Sequence, residues 1–287
     1  MTTTAFDRRL AARSERVGSV LCLGLDPDPE ALPAGMSRDA AGIERFGHLV
    51  LDAALPHAAA VKPNLAFFEA FGSAGLAALE RLRARIPSDV PVVADAKRGD
   101  IGTTSGRHAA ALFDRLGADA VTVSPYLGAA ALEPLLGRGD RALFVLCRTS
   151  NPGAEELEGL EVAPDPAAGF PAEPLYLRVA RRVTGWSRGG TVGLVVGATA
   201  PAELAAIRSV APAVPFLVPG LGAQGGDRDA VLEHGPTLAG PRADLPGRGL
   251  LVSVSRGIAG AAIGTDDPEM AVARAAAEWA GLLPVLR

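Results

Sequence analysis

Lysine is nearly absent from this chain. Of 28 basic residues only Lys62 and Lys97 are lysine, and the other 26 are arginine. Arginine serves wherever a generic positive charge is wanted, so the two exceptions mark places where it does not serve. A guanidinium keeps its proton near neutral pH, whereas a lysine ammonium is compact and can act as a proton donor. Two leftover surface lysines are the bland alternative. Cysteine is equally scarce. Cys22 and Cys147 each lie inside an apolar run, which points to buried thiols rather than a disulfide. Aromatics make up 5% of the residues, so the core is mostly aliphatic. No basic cluster is longer than Arg181-Arg182 and the net charge is -4, which argues against nucleic acid as a partner. No apolar run reaches the roughly 18 residues of a membrane span, and residues 1–17 are polar and charged. The expectation is a soluble, cytoplasmic protein without membrane contact. The four histidines show no metal-ligand spacing and no serine sits in a GxSxG elbow, so neither a metal site nor hydrolase chemistry is expected.

What the chain does carry is concentrated in residues 92–104, Val-Val-Ala-Asp-Ala-Lys-Arg-Gly-Asp-Ile-Gly-Thr-Thr. An apolar run ends abruptly in charge. If Val92 to Lys97 forms a buried strand, its period of two puts Asp95 and Lys97 on one face, about 7 Å apart. Asp100 follows in a loop bracketed by Gly99 and Gly102. Two carboxylates and an ammonium at the mouth of an apolar element are costly to bury, which favours a functional reading.

Eight short β-like runs punctuate the sequence: Ser19–Leu25, Ala58–Pro63, Val90–Lys97, Ala120–Ser124, Ala142–Arg148, Val192–Gly197, Val214–Pro219 and Leu250–Ser255. Between them lie segments of helical spacing such as Gly75–Ile86, Gly106–Leu116, Pro174–Val183 and Pro201–Val210, and Pro268–Leu283 closes the chain. Continuous apolar strands alternating with helices indicate a parallel sheet, and eight such units indicate a (β/α)8 TIM barrel of class α/β. A doubly wound open sheet is the alternative. The whole chain, residues 1–287, reads as one domain, with long loops at about 151–171 and 234–249.

Polar residues then gather at one end of the strands. Asp26 follows the first, Lys62 and Asn64 end the second, and Asp95, Lys97 and Asp100 end the third. Ser124 ends the fourth and Arg148-Thr149-Ser150-Asn151 follows the fifth. In a barrel the C-terminal end of the strands is the reactive face. An Asp-Pro turn would by itself explain Asp26, and loop formation would explain Ser150 and Asn151. After the seventh run, Gly220, Gly222 and Gly225 spell GxGxxG, but no acidic strand end follows at the distance a dinucleotide fold requires. A phosphate site built by the last two loops fits better: glycines expose backbone N–H groups, Gln224 offers an amide and Arg256 a forked cation. A glycine-rich turn beside a surface arginine is the structural alternative.

Taken together, Leu23-Gly24-Leu25-Asp26-Pro27-Asp28, Val61-Lys62-Pro63-Asn64, Asp95 through Thr104, Arg148 through Gly153, Pro219 through Gly226 and Ser255-Arg256 resemble the orotidine 5′-phosphate decarboxylases, in particular their larger bacterial branch. The resemblance implies a homodimeric barrel with shared active sites. It implies conversion of orotidine 5′-monophosphate to UMP and CO2 without a cofactor, in pyrimidine biosynthesis. On that resemblance Lys97 would donate a proton to C6 and Asp95 would lie beside the substrate carboxylate. Asp100 of one subunit would complete an alternating Lys62, Asp95, Lys97, Asp100 array in the other. Asp26 and Lys62 would hold ribose hydroxyls, as would Thr104 with Asp100 across the dimer; Ser150 would hold the pyrimidine, Gln224 and Arg256 the phosphate, and Gly225 and Ser255 would also belong to the substrate-binding set. Two rival readings stay open. One is a metal-dependent sugar-phosphate barrel of the same superfamily, in which an acid would be expected where Lys62 stands. The other is a non-catalytic phospho-ligand-binding barrel.

Overall fold

The computed structural model describes residues 3–222 and 224–287. All eight β-like runs form strands, here numbered β1 (Leu21–Leu25), β2 (Ala60–Pro63), β3 (Val93–Arg98), β4 (Ala120–Val123), β5 (Ala142–Arg148), β6 (Thr191–Val196), β7 (Phe216–Val218) and β8 (Leu250–Val254). Their pairing is parallel throughout, in the spatial order β2-β1-β8-β7-β6-β5-β4-β3. Parallel bridges Val61 to Val92 and Asn64 to Asp95 bring the two outer strands together. The sheet is thus a nearly closed barrel with helices around it, and the open-sheet alternative falls away. Strands enclosed on both faces have no need of polar alternation, so each reads as a continuous apolar run.

Two apolar layers result. Inside the barrel, Cys22, Ala59, Ala60, Val93, Ala120, Ala142, Phe144, Val195, Leu217 and Leu251 pack together; outside it, a larger aliphatic layer separates strands from helices. Cys22 and Cys147 are both free and buried, as their apolar surroundings suggest. Burial pushes the Cys22 thiol up to about 12. Among the described residues no helix is long and apolar enough to cross a membrane.

The polar N-terminal segment, which the sequence reading left without structure, is a helix over Ala5–Val17. Thr4 and Asp7 cap its start reciprocally, each side chain accepting from the other's backbone N–H. Phe6 and Leu10, one turn apart, enter the inner layer, and the Phe6 ring meets Phe144 edge-on at a centroid distance of 6.2 Å. The helix therefore closes the barrel at the end opposite the polar strand termini. Around this plug Asp7 accepts from Thr191 at 2.9 Å and from Arg242 at 2.8 Å. Arg242 comes from the long segment before β8, so that loop carries a structural tie at the closed end. Truncating a buried phenylalanine removes apolar burial and leaves a cavity, about 3–5 kcal/mol. Phe6→Ala is expected to lower the melting temperature by about 10 °C. An unchanged melting temperature would mean that the helix is not seated in the barrel.

The other long segment, after β5, carries a short helical turn (Ala154–Glu156) and a two-stranded antiparallel ladder of Glu161-Val162 with Glu173-Pro174. The ladder leads into the helix Leu175–Val183, where Glu173 accepts from Arg178 at 2.9 Å and Arg181 at 2.7 Å.

Candidate active site

The strand β3 does not run regularly to its end. Its register against β4 slips between Ala94 and Arg98, and Lys97 sits at φ +47°, a region that side-chain-bearing residues seldom enter. Thr122 of β4 holds this bulge. Its hydroxyl accepts from the backbone N–H of both Ala96 and Lys97, each at 3.0 Å, and donates to Asp95 at 2.9 Å. Strain of this kind persists where surrounding contacts over-determine it, and such places cluster at functional sites. The result is that Lys97 turns its ammonium back onto Asp95.

Asp95 consequently sits between two ammonium groups. Lys97 Nζ donates to its Oδ1 and Lys62 Nζ to its Oδ2, both at 2.7 Å. Lys62 is 6% exposed while the Lys97 side chain is about half exposed, so one lysine is embedded and the other faces the opening. Burial alone would disfavour the Asp95 carboxylate, but Lys62 and Lys97 outweigh it and hold the group well below the usual carboxylate range. Burial likewise opposes the Lys62 charge, and Asp95 with Asp26 outweighs it, raising that lysine. Asp95 and Lys62 therefore each favour the other's ionised form.

These side chains line a cavity of about 440 Å³. Lys62, Asp95, Lys97 and Thr122 supply its charged lining, Leu146, Val195 and Leu217 an apolar part, and Thr149, Ser150, Asn151 and Glu158 a further polar part. A smaller cavity of about 90 Å³ shares Lys62 and Pro219 with it and is lined by Asp26, Gly220, Gln224, Ser255, Arg256 and others. In it Asp26 Oδ1 and Ser255 Oγ are buried without a hydrogen-bond partner among the described residues. Buried oxygens are rarely left unpaired, so these two point to groups that arrive with a ligand. The turn after β1 is capped by Asp28, which accepts from Glu30 N–H, so a capping role does not explain Asp26.

Glycines make the close approaches at this end. Gly220 and Gly222 have φ of +102° and +80°, and a Cβ on Gly24 would fall 2.6 Å from that of Ser255. Trp279 of the last helix packs against the loops after β7 and β8: a Cβ on Gly222 would meet its ring at 3.2 Å and one on Gly257 its Nε1 at 2.8 Å. The two cavities touch through Ser150, whose hydroxyl lies 3.3 Å from Gln224 Oε1.

Of the residues singled out from sequence, Lys62, Asp95, Lys97 and Ser150 line the larger cavity and Asp26, Gln224, Ser255 and Arg256 the smaller. Asp100, Thr104 and Gly225 line neither. Asp100 turns away within its own chain: its Oδ1 accepts from Ile101 N–H at 2.7 Å and its carbonyl from Ser105. Thr104 is exposed on the first turn of the helix Gly102–Ala109. Three members of the expected four-charge array are assembled by one chain, and the fourth is not. Thr122 and Glu158 were not singled out. A lone hydroxyl in the apolar run Ala120–Val123 was the available signal for Thr122; Glu158, in a loop 63 positions from Asp95, offered none.

Chemically, the larger cavity can take a flat polar ring against its apolar part with an ammonium at its edge, and the smaller can take an anion bearing hydroxyls. Comparisons with known proteins identify the family of the chain. Residues 19–274 match the model of the orotidine 5′-phosphate decarboxylase / HUMPS family. The chain is 49% identical over 255 residues to the orotidine 5′-phosphate decarboxylase of Thermomicrobium roseum, covering 88% of this chain and 86% of that one. It matches the structure of Leishmania donovani OMP decarboxylase with a TM-score of 0.79 and 39% identity, covering 97% of this chain and 96% of that one. The Leishmania donovani UMP synthase matches with a TM-score of 0.80 and 42% identity over 96% of this chain, which spans 56% of that longer protein. The chain belongs to the orotidine 5′-phosphate decarboxylase / HUMPS family.

Proposed function

We propose that this protein decarboxylates orotidine 5′-monophosphate to UMP and CO2, without a cofactor, as a step of pyrimidine biosynthesis. The observation that carries the reading is the Lys62–Asp95–Lys97 alternation at the mouth of the barrel. It adjoins a second cavity whose unpaired Asp26 and Ser255 oxygens and Arg256 suit a ribose phosphate. In the reaction the bond from C6 to the carboxylate carbon breaks and its electron pair stays on C6. No carbonyl is placed to take up that pair, so the site must stabilise it by charge. The Lys97 ammonium attracts the developing carbanion and then transfers its proton to C6; solvent restores the proton to the lysine. Asp95, kept ionised by both lysines, orients the Lys97 ammonium through their 2.7 Å contact and crowds the departing carboxylate, a contribution through ground-state destabilisation. Ser150 holds the pyrimidine. Asp26 and Lys62 hold ribose hydroxyls, and Gln224, Gly225, Ser255 and Arg256 hold the phosphate. Phosphate binding far from C6 supplies energy that is expressed in the transition state. Asp100 and Thr104 act across the interface of a cytoplasmic homodimer.

The family also contains metal-dependent sugar-phosphate enzymes. The second strand of this chain ends in Lys62, a cation that opposes a divalent metal at that place, and among the described residues no three His, Cys, Asp or Glu side chains converge as a ligand set. The test is the ultraviolet absorbance of orotidine 5′-monophosphate with purified protein and excess EDTA. Loss of the substrate band with formation of UMP is the expected outcome. Turnover only after Mg²⁺ is added back would establish the metal-dependent reading instead. UMP binding without turnover would leave a phospho-ligand-binding barrel.

A further inference from the structure

Ser150 follows a residue that is itself firmly held, and the group that holds it is Glu158. From the loop after β5 the Glu158 carboxylate accepts from Thr149 N–H at 2.8 Å and from the Thr149 hydroxyl at 2.7 Å. That hydroxyl also lies 2.6 Å from Asn151 Oδ1, a second acceptor for its one proton, so the residues before and after Ser150 are drawn together around Thr149. Glu158 is itself fixed by its backbone. Its N–H donates to Ala154, and its carbonyl accepts from Tyr176 N–H at the start of the helix Leu175–Val183, both at 2.9 Å. Ser150 has little room on its other side, since a Cβ on Gly197 would stand 3.0 Å from Ser150 Cα and one on Gly220 3.1 Å from Ser150 Cβ.

Glu158 lines the larger cavity together with Lys97 and is partly buried. We infer that Glu158 is a positioning residue for base recognition: it sets the placement of Thr149, Ser150 and Asn151 against the edge of the pyrimidine, and so governs affinity for the base without touching the ribose phosphate or C6. The inference rests on the proposed decarboxylase reading. It gives the segment after β5 a task that its composition does not announce. A carboxylate suits that task because it can accept the backbone N–H and the hydroxyl of the same residue together, and charged acceptors make the stronger hydrogen bonds. Arg148 contributes to the orientation by donating to Glu158 at 3.4 Å and also pairs with Glu155 and Glu203, so it stays compensated when Glu158 is neutralised.

The test compares two competitive inhibitors of orotidine 5′-monophosphate turnover: UMP, which carries the base, and ribose 5-phosphate, which does not. Glu158→Ala is expected to weaken UMP about 10- to 100-fold, the loss of two hydrogen bonds to a charged group. It should leave ribose 5-phosphate within about threefold and raise KM far more than it lowers kcat. Glu158→Gln keeps an acceptor for Thr149 N–H and a donor for its hydroxyl, and is expected to restore most of the UMP affinity. Thr149→Val, which removes only the hydroxyl link, should give a smaller loss that is not additive with Glu158→Ala. Unchanged UMP affinity in Glu158→Ala would overturn the inference. So would an equal loss of both inhibitors, because that is what a loosened barrel mouth produces. Should Glu158→Ala not fold, the Gln and Val variants decide: wild-type UMP affinity in Thr149→Val overturns the inference. A wild-type protein that neither turns over orotidine 5′-monophosphate nor binds UMP would instead overturn the decarboxylase reading itself.

Discussion

Lys97→Ala is expected to reduce turnover of orotidine 5′-monophosphate by about 10⁴-fold or more while UMP still binds within about tenfold of the wild type. The size follows from two losses at one atom. A positioned proton donor is worth about 10²–10⁴ in rate, and a preorganised charge at a developing anion about 10²–10³. The binding expectation follows from the separation of the cavities. Asp26, Gln224, Ser255 and Arg256 lie in the smaller one, and Lys97 lines only the larger. The variant should also fold, because the Lys97 side chain is about half exposed and Asp95 keeps its 2.7 Å contact with the more deeply buried Lys62. Lys97→Arg tests the same point from the other side, since it keeps the charge without a proton to give. Steady-state rates with either variant, with UMP inhibition measured in parallel, check this. Near-wild-type turnover in Lys97→Ala would remove Lys97 from the chemistry. A parallel collapse of UMP binding would show that its effect runs through the fold of β3.

The difference between what was legible in the sequence and what was not has a physical basis. Strands buried on both faces announce themselves as unbroken apolar runs, so all eight could be located from residues such as Val92-Val93-Ala94 and Phe144-Val145-Leu146. Lys62, Asp95 and Lys97 stood out because charge at the end of such a run demands a reason. The N-terminal helix was missed although its signals were present: the Thr4…Asp7 capping box, and Phe6 and Leu10 one turn apart. These were masked by a polar composition, and the polarity belongs to the helix's outer side. The bulge at Lys97 could not be read at all. It depends on the Thr122 hydroxyl of a neighbouring strand 25 residues on, and period-two alternation would have placed the two charges differently. Glu158 was invisible for the same reason: its partners are chosen by how the loop folds back over β5. Local pattern reports burial well, and it reports hydrogen bonding between sequence-distant parts of the chain poorly.

Asp100 shows this most sharply, and it leads to the second large effect. In the sequence it is three residues from Lys97, yet one chain turns its carboxylate onto its own Ile101 N–H and outside both cavities. Beside it the rim of the barrel exposes large apolar side chains, with Ile101 66% and Tyr126 84% exposed. An apolar rim carrying an acid that its own site does not use suits a two-fold interface, in which each partner's loop reaches the other's cavity. Two inactive variants should then rescue one another. Lys97→Ala and Asp100→Ala, mixed in equal amounts under conditions that exchange subunits, form hybrids in about half of the dimers. In each hybrid one site carries both defects and the other neither, so about a quarter of the wild-type activity is expected to return. The measurement is the rate of UMP formation before and after mixing, with exchange followed independently by a mass tag on one variant. Recovery establishes a shared site and assigns Asp100 to the neighbouring cavity. Complete exchange without recovery would place Asp100 in its own subunit's chemistry, and the loop from Gly99 to Gly102 would then have to rearrange within one chain when substrate binds.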